Sequence, residues 1–224
     1  MKILKYPKFD ILENNVDLNH YSMADSARTC YKSKGHGYQD DSRLISLCFD
    51  NGHHSVLEHG KVKFRLYCDR GVSHELVRHR LASYSQESTR YCNYSNNRFG
   101  SEITVVKPVR IYPDSMEYYI WEKNCESAEK AYFDLLDLGL APENARSILP
   151  TCLATTVDMS CNLRELYHIL DLRTARDAHP DIRYLMHGIL IDMARDYPEI
   201  FKKMFTERNP QFITDFIKKG ANND

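Results

Sequence analysis

The chain has 224 residues and 42% hydrophobic content, enough to bury a core as one domain over residues 1–224 with no second domain required. Thirty Lys and Arg against thirty-one Asp and Glu leave a net charge of −1, which excludes the broad positive field of a duplex-DNA binder and confines any anion site to a local cluster. The seven cysteines (30, 48, 68, 92, 125, 152 and 161) form no C-x-x-C pair, which fits reduced thiols better than a disulfide framework. MKILKYPKFD has no apolar signal-peptide core and no run reaches bilayer length, so a cytoplasmic protein without membrane or nucleic-acid partners is expected.

MKILKY is a predicted opening strand. HYSMADSARTCYKS (20–33) and DDSRLISLCFDNG (40–52) repeat apolar or small residues every three to four positions and are predicted helices, the second closed by Gly52. KVKFRLYCD (61–69) sets Val62, Phe64, Leu66 and Cys68 against Lys61, Lys63, Arg65 and Tyr67, the period of a half-buried strand. Ser73 is the expected cap of a short helix through HELVRHR, so RHRLASYSQESTRY (78–91) would begin as helix and turn to loop near Arg80. EITVVKPV (102–109) reads as strand, and DSMEYYIWEKNCESAEKAYFDLLDLG (114–139) as a long helix ending at Gly139. Another helix runs from Pro142 to Pro150, and CLATTVDM (152–159) is a further strand. NLRELYHILDLR (162–173) and HPDIRYLMHGILIDMARDYP (179–198) are amphipathic helices. Helices surrounding a small, mostly antiparallel sheet define an α+β (mixed α/β) class.

No glycine-rich phosphate cradle of the G-x-G-x-x-G or G-x-x-x-x-G-K-[ST] type follows a strand, so phosphates would be held by side chains. Arg78, Arg80 and Arg90 bracket the hydroxyl-rich SQEST, a set suited to a nucleotide monophosphate; equally, the stretch reads as a solvated basic loop paired with Glu75 and Glu87. In HHSVLEH (53–59) the zinc spacings H-x-x-E-H and H-E-x-x-H both fail, and no metal is expected. Two readings remain for it: a polar pocket for a heterocycle, with Glu58 or His59 orienting its neighbours, or a helix start in which Ser55 is the N-cap and Glu58 its capping-box partner. In NLRELYHILDLR, Arg164 and His168 share a face with Asn162 near its start, while Leu163, Leu166, Ile169 and Leu170 fall on the other. Arg173 near the helix end serves either the dipole or a site. Cys152 lacks a positioned base and reads as inert core.

Taken together, the three clusters resemble the flavin-dependent thymidylate synthases. RHRLASYSQESTRY matches that family's R-H-R-x(7)-S signature at Arg78, His79, Arg80 and Ser88, and GHHSVLEH, ARSILP and NLRELYHILDLR follow in its order and spacing. The resemblance implies methylation of dUMP to dTMP with 5,10-methylenetetrahydrofolate as carbon donor, FAD as hydride carrier and NADPH as reductant. It also implies the family's α/β fold and a homotetramer whose active sites lie between subunits. It places Arg78, His79, Arg80, Ser55, Gln86, Asn162, Leu163, Arg164 and His168 on FAD, with His53 close to the flavin. For dUMP it implies Glu75, Leu76, Val77 and Arg78, the loop Gln86, Glu87, Ser88, Thr89 and Arg90, and Arg146 as an anion clamp. Arg173 is implied at the uracil ring, stabilising the N3-deprotonated form, and Ser88 as a nucleotide holder rather than a nucleophile. Glu75, Val56, His168 and Thr89 replace a frequent glutamine, proline, asparagine and glycine.

Overall fold

The computed structural model describes residues 1–91, 94 and 101–208, so Cys92 lies outside the described residues. In chain order these form β1 (Lys2–Leu4), β2 (Lys8–Glu13), α1 (Val16–Thr29), α2 (Tyr38–Asp50), a 3₁₀ turn (His54–His59), β3 (Lys61–Asp69), α3 (Arg70–Leu76), β4 (Ser83–Gln86) and β5 (Thr104–Val106). There follow α4 (Met116–Asp137), α5 (Pro142–Ala145), a second 3₁₀ turn (Arg146–Ile148), β6 (Ala154–Asn162), α6 (Leu163–Arg173), α7 (Pro180–Asp196) and α8 (Pro198–Arg208). The main sheet is small and antiparallel, in the order β2-β3-β6-β4, and β1 pairs in parallel with β5. The mixed helix-and-sheet class expected from the sequence is therefore the one found.

The chain divides into two compact units, which strands β3 and β6 each pass between along the sequence. One unit comprises residues 1–8, 66–78 and 84–158. Its core gathers Tyr94, Ile103, Val105, Cys125, Tyr132, Ala145 and Leu153, with α4 supplying the aromatic layer. The other comprises, among the described residues, 9–65, 79–83 and 159–208. There α1, α2, α6, α7 and α8 bury Met23, Ile45, Leu166, Ile169, Met186 and Phe201 on their apolar stripes. Gly52 and Gly139 stand at φ +77° and +88°, the left-handed geometry that ends α2 and α4 as their sequence position predicts.

Three expectations change. The helix at 70–76 is capped by Asp69, whose carboxylate accepts from Val72 N–H at 2.7 Å, while Ser73 sits inside it and donates to the Arg70 carbonyl. It ends at Leu76, so Arg78–Arg80 follow the helix instead of closing it. The reason is local: an ionised Asp at the strand end meets the first free N–H groups before Ser73 is reached. The Ser55–Glu58 capping box is also absent, because His53 occupies the cap position of the 3₁₀ turn without a side-chain bond and Glu58 is engaged elsewhere. The span from Pro142 to Pro150 is a single α turn followed by a 3₁₀ turn. Strands β2 and β4 and helix α8 carry weaker sequence signals and join the elements read above.

Candidate active site

In the second unit, α6 is the positioning element. Asn162 caps it, its Oδ1 accepting from Glu165 N–H at 2.8 Å, which satisfies one of the first-turn donors that have no intrahelical partner. With one Oδ1 lone pair committed to the cap, Asn162 keeps its Nδ2 donors for a ligand. Leu163 begins the helix beneath Gly60, whose carbonyl accepts from Leu163 N–H at 3.0 Å. A Cβ on Gly60 would stand 2.7 Å from Leu163 Cδ1, so any larger residue would push the Leu163 side chain aside. The helix buries Leu163, Glu165, Leu166, Ile169 and Leu170 and exposes Arg164 and His168, the division its periodicity predicts.

Arg173, in the last turn of α6, donates from Nε to His79 Nε2 at 3.0 Å. His79 itself is 5% exposed, with the His168 ring edge-on at 5.8 Å and the Glu165 carboxylate 3.9 Å from its Nδ1. Burial, then the Arg173 cation and His168, hold the His79 imidazole down to about 4 from an ordinary 6.5. At neutral pH it is therefore uncharged, with its Nε2 lone pair on Arg173 and its proton on Nδ1 toward Glu165. Burial pushes the Glu165 carboxyl up, against the opposing effect of His168. The result is a guanidinium whose Nε is fixed by a neutral acceptor.

The same unit carries the HHSVLEH stretch. His54 is half-buried, stacked on Phe49 at 4.9 Å with Nε2 3.2 Å from the Phe49 carbonyl oxygen. His53 and Ser55 are exposed. Glu58 accepts from Arg164 Nη1 at 2.5 Å, a pair about half exposed on both sides, and Arg80 is exposed.

In the first unit the 86–90 loop is built from fixed backbone. Arg70 donates to the Glu87 carbonyl at 3.0 Å, and Glu87 N–H donates to Thr156 O at 3.0 Å. Gln86 spends both amide protons, on Ser73 Oγ at 2.9 Å and Thr155 Oγ1 at 3.2 Å, so toward a ligand it can only accept. Ser88 Oγ accepts from Arg90 N–H at 3.3 Å and keeps its hydroxyl proton to donate. Thr89 is buried and accepts from Arg146 Nη1 at 3.0 Å, which brings Arg146 to the loop from the second 3₁₀ turn. Arg90 is exposed, with Glu143 at 3.9 Å. Leu76 is buried and its carbonyl accepts from the Tyr84 hydroxyl at 2.7 Å; Glu75 is half-buried, and Val77 and Arg78 are exposed. Glu87 accepts from the Tyr94 hydroxyl at 2.9 Å and lines a cavity of about 350 Å³ with Thr155, Thr156, Lys2 and Lys8.

Glu165 and Thr155 were not singled out by sequence, and Ser73 only as a helix cap. Glu165 stands three residues after a helix cap, where an acidic residue reads as an ordinary first-turn partner; its burial beside His79 has no sequence signal. Among the described residues no group of three or more His, Cys, Asp and Glu is placed to hold a metal ion, and no helix is long and apolar enough to cross a membrane.

The basic, hydroxyl-rich 86–90 loop lies in one unit and the neutral histidine holding an arginine in the other, and comparison with known proteins gives the family. The family model described as "Thymidylate synthase complementing protein" matches residues 14–199, and the chain belongs to that family. A flavin-dependent thymidylate synthase of Geobacter sulfurreducens is 31% identical over 208 residues, covering 89% of this chain and 86% of its own. One from Pyrococcus abyssi is 38% identical over 145 residues, 64% of this chain and 59% of its own length. The solved structure of a UMP/dUMP methylase, PolB from Streptomyces cacaoi, bound with 5-Br dUMP, has the same fold, with a TM-score of 0.73 at 22% identity over 90% of this chain and 96% of that one.

Proposed function

We propose that this chain methylates dUMP to dTMP, with FAD as hydride carrier, 5,10-methylenetetrahydrofolate as carbon donor and NADPH as reductant. The observation that carries the reading is the Arg173–His79 bond inside a chain of this family. A neutral acceptor at Nε orients the guanidinium without itself neutralising the charge. Beside uracil N3 and its neighbouring carbonyl oxygen, Arg173 stabilises the ring with the N3 proton removed, which raises electron density at C5 and makes that carbon the nucleophile. No cysteine adduct is required. Ser88 holds the nucleotide through its hydroxyl proton, Arg90 and Arg146 take the phosphate, and the Gln86 carbonyl accepts from a hydroxyl. Glu75, Leu76, Val77, Glu87 and Thr89 complete the nucleotide pocket.

The donor set fits a flavin dinucleotide. Arg78, Arg80 and Arg164 are exposed guanidinium groups and Ser55 an exposed hydroxyl, which supply forked donors for a diphosphate without a glycine cradle. Asn162 would donate through Nδ2 and His53 and His168 would lie against the ring system, while Leu163, its side chain fully buried, would meet the cofactor only through backbone atoms. Bound FAD supplies the hydride transfer. On this reading the full length works as one cytoplasmic catalytic domain, assembled as a homotetramer with active sites between subunits.

Purified protein incubated with dUMP, methylenetetrahydrofolate, FAD and NADPH should form dTMP, and its visible spectrum should show flavin that bleaches with NADPH. A colourless protein that forms no dTMP after FAD is added contradicts the proposal. Light scattering should give four chains per particle.

A further inference from the structure

Cys125, in the middle of α4, and Cys152, in the turn before β6, bring their sulfurs to 3.5 Å within the core of one compact unit. Cys125 is 2% exposed; Cys152 is half-buried and therefore reachable. We propose that this pair is a dithiol that a hydroperoxide converts to a reversible disulfide, and that the bridge acts on the 86–90 loop. No other pair among the six described cysteines is brought together in this way.

The two thiols differ in a way that assigns their roles. The hydrogen bond from Cys125, then one from Trp121, draws Cys152 below its usual range, whereas the same shared proton together with burial pushes Cys125 up. Cys152, half-buried where Cys125 is 2% exposed, is the thiol a peroxide can reach, and it attacks as its thiolate. Its sulfur bonds to one peroxide oxygen as the O–O bond breaks; the departing hydroxide takes a proton and leaves as water. Cys125 then attacks the resulting sulfenic sulfur, an S–S bond replaces the S–O bond, and the second oxygen leaves as water with the Cys125 proton. Two thiols lose two electrons in all, and one peroxide gains them. Cys68 and Cys161, by contrast, are pushed up to about 12 by burial and do not compete.

A bridge needs the sulfurs to close from 3.5 Å to roughly 2.05 Å, and we place part of that movement in the turn that carries Cys152. That turn is the anchor of α3. Thr151 O and Leu153 O, on either side of Cys152, both accept from Arg70 N–H at 3.1 Å, and the Arg70 guanidinium holds the Glu87 carbonyl at 3.0 Å. Closure of the bridge therefore pulls on the nucleotide loop through one residue. This coupling, unlike the dithiol itself, rests on the reading of the loop as the dUMP site.

Reduced full-length protein, freed of reductant, is treated with equimolar hydrogen peroxide, digested without reductant and mapped by mass spectrometry. Peptides joined through Cys125 and Cys152, and separated again by dithiothreitol, are expected. In Cys125→Ser the bridge cannot close, and dimedone should trap sulfenic acid at Cys152. Absence of the joined peptide from the wild-type protein, or oxidation confined to the exposed Cys30, overturns the proposal without reference to any variant. dUMP binding measured calorimetrically on the same samples should weaken severalfold on oxidation and recover with dithiothreitol. A bridge that forms with dUMP binding unchanged contradicts the coupling, while failure of the reduced protein to bind dUMP contradicts the nucleotide reading and leaves the mapping result to judge the dithiol.

Discussion

Arg173 and His79, 94 residues apart, share a 3.0 Å hydrogen bond in which a guanidinium N–H donates to an imidazole nitrogen. The histidine of the R-H-R signature thus acts on the cation at the end of α6 and fixes where its charge sits. Replacing His79 by Phe removes the acceptor that orients the Nε end of Arg173. Turnover of dUMP should fall about a hundredfold, the scale of a misplaced catalytic group, with a smaller change in KM. His79→Gln, whose amide oxygen accepts, should recover part of kcat; equal losses in both variants would show that the bond does not matter.

The depressed His79 titration makes stability pH-dependent with a definite sign. Unfolded, the imidazole takes a proton near 6.5; folded, only near 4. Between those values the unfolded chain binds the extra proton, so the contribution is complete above pH 6.5 and is lost as pH falls toward 4, at up to about 1.4 kcal/mol per pH unit. Urea unfolding of the wild type and His79→Phe across this window isolates it, since groups common to both cancel. A difference that stays constant with pH would place His79 at its ordinary value.

Arg146 reaches Thr89 and Arg90 lies beside Glu143 on the surface. Each guanidinium on a phosphate contributes about 1.5–3 kcal/mol, so Arg90→Ala and Arg146→Ala should each raise KM for dUMP roughly 10- to 100-fold and leave flavin bound. Steady-state kinetics at varied dUMP measures this. A fall in kcat alone would move these residues away from the phosphate.

Arg164 pairs with Glu58 at an exposed position. Such pairs are worth less than ~1 kcal/mol, so Glu58→Gln should leave the melting temperature nearly unchanged. Arg164→Ala should lose flavin on purification, because its assigned partner is a diphosphate. Full flavin retention in Arg164→Ala would remove it from the cofactor site.

Elements with a strong period were legible in the sequence. The strand over 61–69 and the amphipathic helix ending at Arg173 came out with their buried faces correct, because alternation and three-to-four spacing report burial directly. The start of α3 did not, since two cap-forming residues, Asp69 and Ser73, compete and only geometry shows which meets the free N–H groups. β4, four residues of SYSQ, carries no apolar pattern and exists through its neighbours. For the site, the R-H-R stretch and Arg173 were each visible as charged residues. Their bond, the buried Glu165 and the two committed protons of Gln86 were not, since they join segments far apart in the chain.

The decisive measurement is dTMP formation by Arg173→Ala beside the wild type, with flavin absorbance recorded on the same preparations. Flavin should remain bound while turnover falls at least about a hundredfold, the loss expected when a preorganised charge is taken from a developing anion. Arg173→Ala that retains flavin and turns over dUMP at the wild-type rate would contradict ring activation by the His79-held arginine.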